Sequence, residues 1–454
     1  MLPVILAILL NWTKVFPQHR SAHRAIRLAL CSVCVLGRRT VARSYLIQEY
    51  HGDFSSDYKL LSRCNWLAQD LFTPILQEAL SICDGKFLPL ATDDTRLKKT
   101  GKKILSAHWG RDPLSPPFHL NLHYGLRFLH TAVLLPLHKK YSLSARALPV
   151  FFQEVAPVKK PSRKATDEEK RAYRKAVKQQ NLSTEAVAMM KDIRQRVDDL
   201  AGGHKILAFA FDGSYCNRTV LCAELERTVV IARARKDAKL CWPANQGRRI
   251  YSKESFTPEE ILKDEKQQWQ QATIFHGGKQ RKIYYKEVNH LLWRRAGGAK
   301  QLRLFVVRPT AYRKTKKGRL LYRQASFLLT NDKQSEAREL IQIYFDRWQI
   351  EVAHKEMKES FGLGQAQVRV DRSVKRQPVL QVATYSAMHL AALKVYGAQR
   401  SEQLGPLPKY QRDKKRASCQ ELIRKVRQEV VEKGELPLIG LKISEKSILA
   451  AATI

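Results

Sequence analysis

HKILAFAFDGSY, residues 204–215, is a nearly continuous apolar run that is followed by an aspartate. Strands with such runs lie in the middle of a sheet whose two faces are both covered by helices. The stretch therefore predicts a central strand of an α/β domain, with Asp212 at its carboxyl end. A carboxylate is expensive to bury beside a core strand unless a cation or hydrogen bonds compensate its charge, so Asp212 is a candidate site residue.

Four further segments fit the same kind of domain. KFLPLATDDT (86–95) predicts a buried strand that ends in two aspartates, and TVVIARAR (228–235) predicts another strand. Residues 119–139 predict two strands joined as a hairpin. TEAVAMMKDIRQRVDDL (184–200) has a helical pattern and is followed by two glycines that end it.

YFDRWQIEVAHKEMKE, residues 344–359, predicts a helix, because it lacks Gly and Pro and is rich in strong helix formers. Ser335 is a suitable N-cap for an early start of this helix. At about 100° per residue, four polar side chains fall within an arc of about 60°. They are Tyr344, Arg347, Glu351 and Lys358. By spacing alone, this set also fits an ordinary solvated face.

The charge of the chain indicates a polyanionic partner. The 454 residues include 81 Lys and Arg against 42 Asp and Glu, which gives a formal net charge of +39. The apolar share of 44% is that of a folded protein, not of a disordered basic tail. The positive charge is spread along the whole chain, so a long nucleic acid is a better partner than a membrane surface. A membrane surface is more often bound by one local basic patch.

The changes of pattern along the chain predict five regions. Residues 1–83 are expected to form a helical DNA-binding domain, for which a plain helical bundle is the alternative. Residues 84–235 and 336–400 are expected to form the two parts of one α/β core. Residues 236–335 are expected to form a separate β-rich insertion between them, and residues 401–454 a basic helical tail.

The cysteines and the N-terminus suggest a protein of a reducing compartment. Cys31 and Cys34 form a CxxC within an apolar helical pattern with no second pair, which favours buried free thiols over a zinc site. MLPVILAILL (1–10) lacks a basic start and a cleavage site, so it is interpreted as a core helix and not as a signal peptide. We expect the cytoplasm.

At this point the sequence resembles a known family, the DDE transposases of bacterial insertion sequences. Tyr344, Arg347, Glu351 and Lys358 match the Y-x2-R-x3-E-x6-K signature of one branch position for position. DDT at 93–95 resembles the first acidic motif of the family, and FDGSY at 211–215 resembles the second. FGLGQAQVR, just after the signature, is also similar, and the resemblance extends from about residue 20 to about residue 430.

The resemblance implies a ribonuclease H-like catalytic core with a β-rich insertion and an N-terminal helical domain. It implies that Asp94, Asp212 and Glu351 are the catalytic acids and bind two divalent ions, Mg²⁺ or Mn²⁺. The first acid of the family is usually followed by Thr, which selects Asp94 over Asp93. Successive residues of a strand face opposite sides of the sheet, so only one of the two aspartates can line the site, and Asp93 stays the alternative.

The resemblance also implies a function. Such a protein binds the terminal inverted repeats of its element, pairs the ends as a homodimer, frees a 3′-OH and joins it to target DNA. Tyr344, Arg347 and Lys358 would contact the phosphate backbone, and Trp293 would stack on a flipped base during hairpin formation; core packing is the alternative for Trp293. The protein would act in the bacterial cytoplasm, associated with the nucleoid. An inactive DNA-binding relative and a nuclease or resolvase on the same fold remain alternatives.

Overall fold

A computed structural model describes residues 1–49, 53–112, 115–116, 118–244, 249–295, 298–313, 318–407 and 414–453, without the side chains of residues 139 and 141. Part of the predicted basic tail, residues 408–413, lies outside the described residues, as does Gly297 in the glycine pair after Trp293.

The described residues form an α/β structure. The helices are α1 Leu2–Leu10, α2 His19–Cys34, α3 Val41–Leu46, α4 Ser55–Ser62, α5 Thr73–Ile82, α6 Leu137–Tyr141, α7 Asp167–Gln179, α8 Leu182–Asp199, α9 Arg218–Leu221, α10 Pro258–Lys263, α11 Ala337–Asp346, α12 Trp348–Lys355, α13 Asp371–Tyr396, α14 Cys419–Lys433 and α15 Glu445–Ala452. The strands are β1 Phe87–Lys98, β2 His108–Arg111, β3 Leu122–Leu135, β4 Arg146–Glu154, β5 Ile206–Phe211, β6 Thr228–Arg233, β7 Leu240–Pro243, β8 Tyr251–Phe256, β9 Gln270–His276, β10 Lys279–Leu291, β11 Leu302–Val307, β12 Ala311–Arg313, β13 Leu320–Tyr322, β14 Ser326–Thr330, β15 Glu435–Leu436 and β16 Leu441–Lys442.

One large mixed sheet organises the molecule. Its order is β2-β3-β1-β5-β6-β14-β11-β10-β9, and β4 also pairs with β3. β1, β5 and β6 are parallel, whereas β3 is antiparallel to β1 and β14 is antiparallel to β6. The strands predicted in 86–95, 204–215 and 228–235 are therefore confirmed, and they are adjacent in the sheet.

Helices cover both faces of the parallel strands. On one face, Ala208 and Ala210 of β5 belong to a buried cluster with Leu340 and Ile341 of α11. On the other face, Thr131 of β3 contacts Met189 of α8 (Oγ1 to Sδ, 3.2 Å). This two-sided cover explains the unbroken apolar run of β5, because a strand inside a covered sheet has no solvent-facing side.

The segment 236–335 is rich in strands, as expected, but it is not structurally separate. Its strands β14, β11, β10 and β9 continue the main sheet beyond β6. β14 pairs with β6 through Leu328–Arg233 and Thr330–Ile231. The composition of the segment did not show this, because strand pairing between distant segments leaves no local signal.

The hairpin expected in 119–139 is wrong. β3 is one strand of 14 residues over Leu122–Leu135, and its antiparallel partners are β1, β2 and β4. Its middle contains no turn residues of the Gly, Pro, Asn or Asp type, so the chain has no reason to reverse there. The partner strand β4 was not predicted.

The 26-residue helix α13 is the common support of the helical parts. Its residues from Val379 to Ala392 are almost all buried, and α1, α2, α4 and α5 pack against it together with β4. The N-terminal helices therefore share a continuous apolar core with the sheet. α13 begins at Asp371 and holds Pro378 in its interior.

The thiols of the CxxC and the N-terminal apolar segment both lie in the core. Cys31 and Cys34 are free and buried, which confirms the prediction of core thiols. Residues 2–10 form a helix whose Leu2, Ile5 and Leu9 lie in the core. Within the part of the chain that the structure describes, no helix combines the length and apolar character needed to cross a membrane.

The close pairing of β3 with the end of β1 depends on Gly125. A Cβ at this position would lie 2.3 Å from the carbonyl oxygen of Leu97 in β1. We expect Gly125→Ala to lower the free energy of unfolding by about 2 kcal/mol or more, because backbone atoms must move apart. Urea unfolding monitored by circular dichroism measures this change.

Gly101→Ala is the matched control for that experiment. Gly101 is exposed, and a Cβ there would come no nearer than 3.4 Å to the side chain of Ile104. Equal unfolding midpoints for the two variants would show that β1 and β3 are not packed as described.

Candidate active site

Asp93 and Asp212 are brought together by strand register. The parallel pairing of β1 and β5 aligns Thr92 with Phe211, so Asp93 and Asp212 are the next residues on each strand. Asp212 continues the alternation of Ala208 and Ala210, which face α11. Its Oδ1 accepts hydrogen bonds from the amide (3.0 Å) and the hydroxyl (2.6 Å) of Ser214, which fixes the carboxylate at the start of a tight turn.

Asp94 lies on the opposite face of β1. Its Oδ2 is 3.1 Å from Nε of Arg127, which is on β3 directly opposite Arg96. Cross-strand neighbours of this kind share a face of the sheet, so Asp94, Arg96 and Arg127 lie together on the face away from α12. The alternation expected for the two aspartates is therefore present, and it is Asp93 that shares a face with Asp212.

The signature helix is less regular than the sequence predicted. It begins at Ala337 with Glu336 as the N-cap, and the Ser335 hydroxyl donates instead to Oδ2 of Asp332 (2.6 Å). Arg347 separates α11 from α12, and a π-helical turn over residues 356–360 follows α12 directly. The four signature residues therefore do not share one straight α-helix. Tyr344 lies on α11, Arg347 between α11 and α12, Glu351 on α12 and Lys358 in the π-helical turn.

A contact between two histidines joins α12 to the sheet. Nδ1 of the buried His130 lies 2.8 Å from Nε2 of the half-buried His354 on α12. His130 is directly opposite Asp93 in the pairing of β3 with β1, and His354 is three residues after Glu351. Burial lowers the pKa of His130 to about 3 and also lowers that of His354, so the pair is neutral at neutral pH. The contact brings the helix turn of Glu351 to the face of Asp93 and Asp212.

Arg347 is placed between these acids with part of its hydrogen-bonding capacity unused. Its Nη2 donates to Oε1 of Glu351 at 3.2 Å, and its side chain is only 13% exposed. Its Nε and Nη1 are buried and make no hydrogen bond within the described residues. The Tyr344 ring lies 5.9 Å from the guanidinium carbon. Two donors of Arg347 are thus left for a further partner.

The acids repel one another in this setting. Burial, followed by the Asp212 carboxylate, raises the pKa of Asp93 to about 7, while Arg347 acts in the opposite direction. Burial raises the pKa of Glu351, and Arg347 opposes this. Burial lowers the pKa of Lys358, while Asp93 is the acid that most favours its charged form. Such shifts, produced by buried like charges beside a few cations, are typical of functional sites.

A basic groove of about 630 Å³ begins beside the acids. It is lined on one side by the loop that follows β1 and on the other by the segment that follows the signature. Its cationic residues are Arg38, Lys98, Lys99, Lys102, Lys103 and Arg369. Lys98 is the last residue of β1, four residues after Asp94, so the groove begins on the strand that carries the first acids.

Trp293 is half-buried and packs against the main core, which is the arrangement expected if its role is structural. A β-bridge between Cys241 and Leu292 brings Trp242 into the same neighbourhood. Trp242 is 41% exposed. An aromatic surface is thus present in this segment, but Trp242 contributes more of it than Trp293.

Another set of potential metal ligands lies outside this site. Glu356, His389 and Cys419 have ligand atoms within 4.8 Å of one another. Among the described residues neither Asp94 nor Asp93 reaches this spacing together with Asp212 and Glu351. Nη1 of Arg146 donates to Nδ1 of His389 at 2.9 Å and lies 3.5 Å from Glu356. A cation at this position would face an arginine, so we interpret the set as a buried polar network.

Comparison with known proteins supports the class that the geometry indicates. Residues 165–386, slightly less than half of the chain, match the family described as "Transposase DDE domain". The match includes Asp212 and Glu351 and ends within α13. No curated protein matches the sequence. The α/β structure with its large mixed sheet is compatible with a transposase, and a divalent metal and a DNA substrate are general features of that class.

Sequence reasoning missed the residues that hold this site together. The contact of His130 with His354 and the pairing of Asp94 with Arg127 join segments far apart in the chain. A local signal did exist for His354. It lies three residues after Glu351, and residues three apart are neighbours on the surface of a helix. No local signal marks Arg127, because its partner depends on the pairing of β1 with β3.

We expect Asp93→Asn to stabilise the folded protein above pH 7. The folded protein keeps the Asp93 proton up to about pH 7, whereas an unfolded chain releases it near pH 4. The folded state binds more protons in this interval, so the parent loses stability as the pH rises through it. Asn removes this loss, and we expect a gain of about 2 kcal/mol at pH 8, since water partly screens a half-buried carboxyl.

Urea unfolding with EDTA at pH 4.5 and pH 8 measures that gain. Asp94→Asn is the matched control: burial also raises the pKa of Asp94, but the Arg127 guanidinium is the strongest opposing charge, and the variant loses that ion pair, so we expect a smaller gain. An equal or larger gain at pH 8 for Asp94→Asn would mean that Asp93 is not the more strongly perturbed of the two carboxyls.

Proposed function

We propose that this protein is a DDE transposase with a ribonuclease H-like core, in which Asp93, Asp212 and Glu351 are the catalytic acids. The observation that carries the proposal is the placement of two carboxylates on adjacent parallel strands, with a third on a helix that is fixed to the same face. The family match over residues 165–386 supports the same class.

The strand order supports the ribonuclease H-like core. β4, β3, β1, β5 and β6 are adjacent in that order, with β3 antiparallel to β1 and the last three strands parallel. In such a sheet the carboxyl ends of the central parallel strands meet at one edge, which is where ligands bind in α/β folds. Asp212 directly follows β5 at that edge, Asp93 lies next to it within the longer strand β1, and Glu351 is on α12. The strands β14, β11, β10 and β9 would be the insertion, and the helices before β1 the DNA-binding domain.

The acids suit two Mg²⁺ or Mn²⁺ ions. Their donors are carboxylate oxygens, which these ions prefer. The raised pKa of Asp93 comes first from burial and then from the Asp212 carboxylate, and a bound cation would oppose both effects. When bound, such ions polarise the scissile phosphate and activate the attacking oxygen of water or of a 3′-OH. Asp94 is a weaker candidate for the first ligand than the sequence suggested, because it lies on the other face and is paired with Arg127.

The cations of the site have a natural role toward phosphate. The Nε and Nη1 groups of Arg347 make no hydrogen bond among the described residues, and each can donate a charge-assisted hydrogen bond to a phosphate oxygen. Lys358 supplies a point charge beside Asp93, and the Tyr344 hydroxyl can donate a hydrogen bond. Held by α11, α12 and the π-turn, these groups orient the DNA strand before reaction.

The basic groove is the proposed path of the DNA backbone away from the cut. It connects the acid cluster with Arg38 of the N-terminal helical region and with Arg369 after the signature. The substrates would be the terminal inverted repeats and target DNA, paired by a homodimer in the bacterial cytoplasm at the nucleoid. Trp293, or the more exposed Trp242, would stack on a flipped base if the ends are released as hairpins.

The central experiment uses a duplex that carries the sequences flanking the gene, incubated with the protein and Mn²⁺. We expect Asp93→Ala, Asp212→Ala and Glu351→Ala each to abolish strand cleavage and joining, because each removes a metal ligand. DNA binding in a gel-shift assay should remain, since the phosphate contacts of the groove are untouched. Cleavage products and joined products are separated on denaturing gels.

Asp94→Ala is the control for the first acid, and it should retain cleavage. Loss of cleavage with Asp94→Ala and retention with Asp93→Ala would overturn the assignment made here. Cleavage without joining by the parent would indicate a nuclease, and DNA binding without cleavage would indicate an inactive relative.

The groove is tested by charge reversal. Lys102 and Lys103 are exposed in the loop after β1. We expect Lys102→Glu with Lys103→Glu to weaken DNA binding and to reduce the salt slope of the binding constant by about two, one for each lost phosphate contact. Fluorescence anisotropy between low and moderate salt measures the slope.

The matched control reverses two exposed lysines of α7, Lys175 and Lys178. They carry the same charge but do not line the groove. An equal loss of slope in both double variants would mean that binding depends on net charge alone and not on this groove.

A further inference from the structure

The signature helix changes its hydrogen-bonding pattern between Glu351 and Lys358. α12 ends at Lys355, and residues 356–360 form a π-turn, in which the amide of Phe361 donates to the carbonyl of Glu356 at 3.0 Å. A π-turn holds one residue more than an α-helical turn, so the side chains that follow Glu356 are rotated from the positions of a regular helix. Lys358 lies within this turn.

Both ends of the π-turn are held by one face of α13. The Tyr385 hydroxyl donates to Oε2 of Glu356 at 2.5 Å, at the start of the turn. Nε2 of Gln381 donates to the carbonyl of Phe361 at 2.7 Å, at its end. Gln381 and Tyr385 are four residues apart on α13, and the rings of Phe361 and Tyr385 are in contact with centroids 5.6 Å apart.

The anchor is buried and otherwise unexplained. Tyr385 and Gln381 are 1% and 2% exposed, and Arg146 of β4 lies 3.5 Å from the Glu356 carboxylate. The Glu356 carboxylate is half-buried, and a carboxylate with a charged partner and a hydroxyl donor is a strongly held point. It neither contacts the proposed acids nor lines the groove. Its direct effect is on the conformation of the turn that carries Lys358.

We infer that Tyr385 and Gln381 are positioning residues, which hold the π-turn through Glu356 and Phe361 and thereby direct Lys358 to the Asp93 end of the acid cluster. This inference rests on the proposed function only for what Lys358 does there, namely the contact with a phosphate group. The conformation of the π-turn can be measured in the protein alone.

The first experiment needs no DNA. Tyr385→Phe keeps the ring but removes the bond to Glu356, and Tyr396→Phe is the matched control, since the Tyr396 hydroxyl reaches Glu429 and not the π-turn (3.5 Å). We expect amide hydrogen exchange in residues 356–363 to rise about tenfold or more in Tyr385→Phe, the effect of losing a hydrogen bond to a charged group. Tyr396→Phe should leave it unchanged. Unchanged exchange in a folded Tyr385→Phe would overturn the inference.

The second experiment separates positioning from general stability. Tyr385→Phe, Lys358→Ala and the double variant are compared in strand cleavage of the duplex carrying the gene-flanking sequences. If Tyr385 acts through Lys358, the double variant should be no slower than Lys358→Ala alone, because the second change has nothing left to disturb. Gln381→Met, which removes the other end of the anchor, should behave in the same way.

The outcomes distinguish the positioning role of Tyr385 and Gln381 from the role of Lys358 in the proposed function. Additive losses in the double variants would overturn the positioning role, since a merely structural effect adds independently. Faster exchange in the π-turn with full cleavage by Lys358→Ala would support the anchor but overturn the role of Lys358 in the proposed function.

Discussion

The repulsion between two neighbouring carboxylates is the constraint on which the site depends. Asp93 and Asp212 are side by side because β1 and β5 are parallel and in register, and burial together with Asp212 raises the pKa of Asp93 to about 7. A fold selected only for stability would have an apolar or neutral pair here, since buried like charges oppose folding. The surroundings are arranged to tolerate the acids, with Arg347 and Lys358 supplying positive charge from the facing helix.

That compensation requires the signature helix to be held accurately against the sheet, and two buried contacts do this. The neutral pair of His130 and His354 fixes α12 near Glu351, and the bond of Tyr385 to Glu356 fixes the π-turn near Lys358. Both are polar contacts inside the fold, where an unmatched partner is destabilising. Because α13 also supports the N-terminal helices, the position of the cations is coupled to the packing of the whole helical region.

The sequence predicted the elements with strong local signals and failed where long-range pairing decides. β5 and β6 are buried on both sides and could be recognised from their apolar runs, as could α8 from its pattern and its terminal glycines. The single strand β3 was predicted as a hairpin, and β4 was missed. The union of residues 236–335 with the main sheet was also missed, because the pairing of Leu328 with Arg233 connects residues almost a hundred positions apart.

The choice between Asp93 and Asp94 shows where a motif and a structure contribute differently. The motif rule of an acid followed by threonine selected Asp94, since a sequence pattern records neighbours along the chain. The direction of a side chain depends instead on the partner strand, and here the partner of Asp94 is Arg127 on the face away from α12. Alternation alone established that only one of the two acids can share a face with Asp212. The pairing of Asp93 with His130, which reaches the signature helix through His354, identifies which one does.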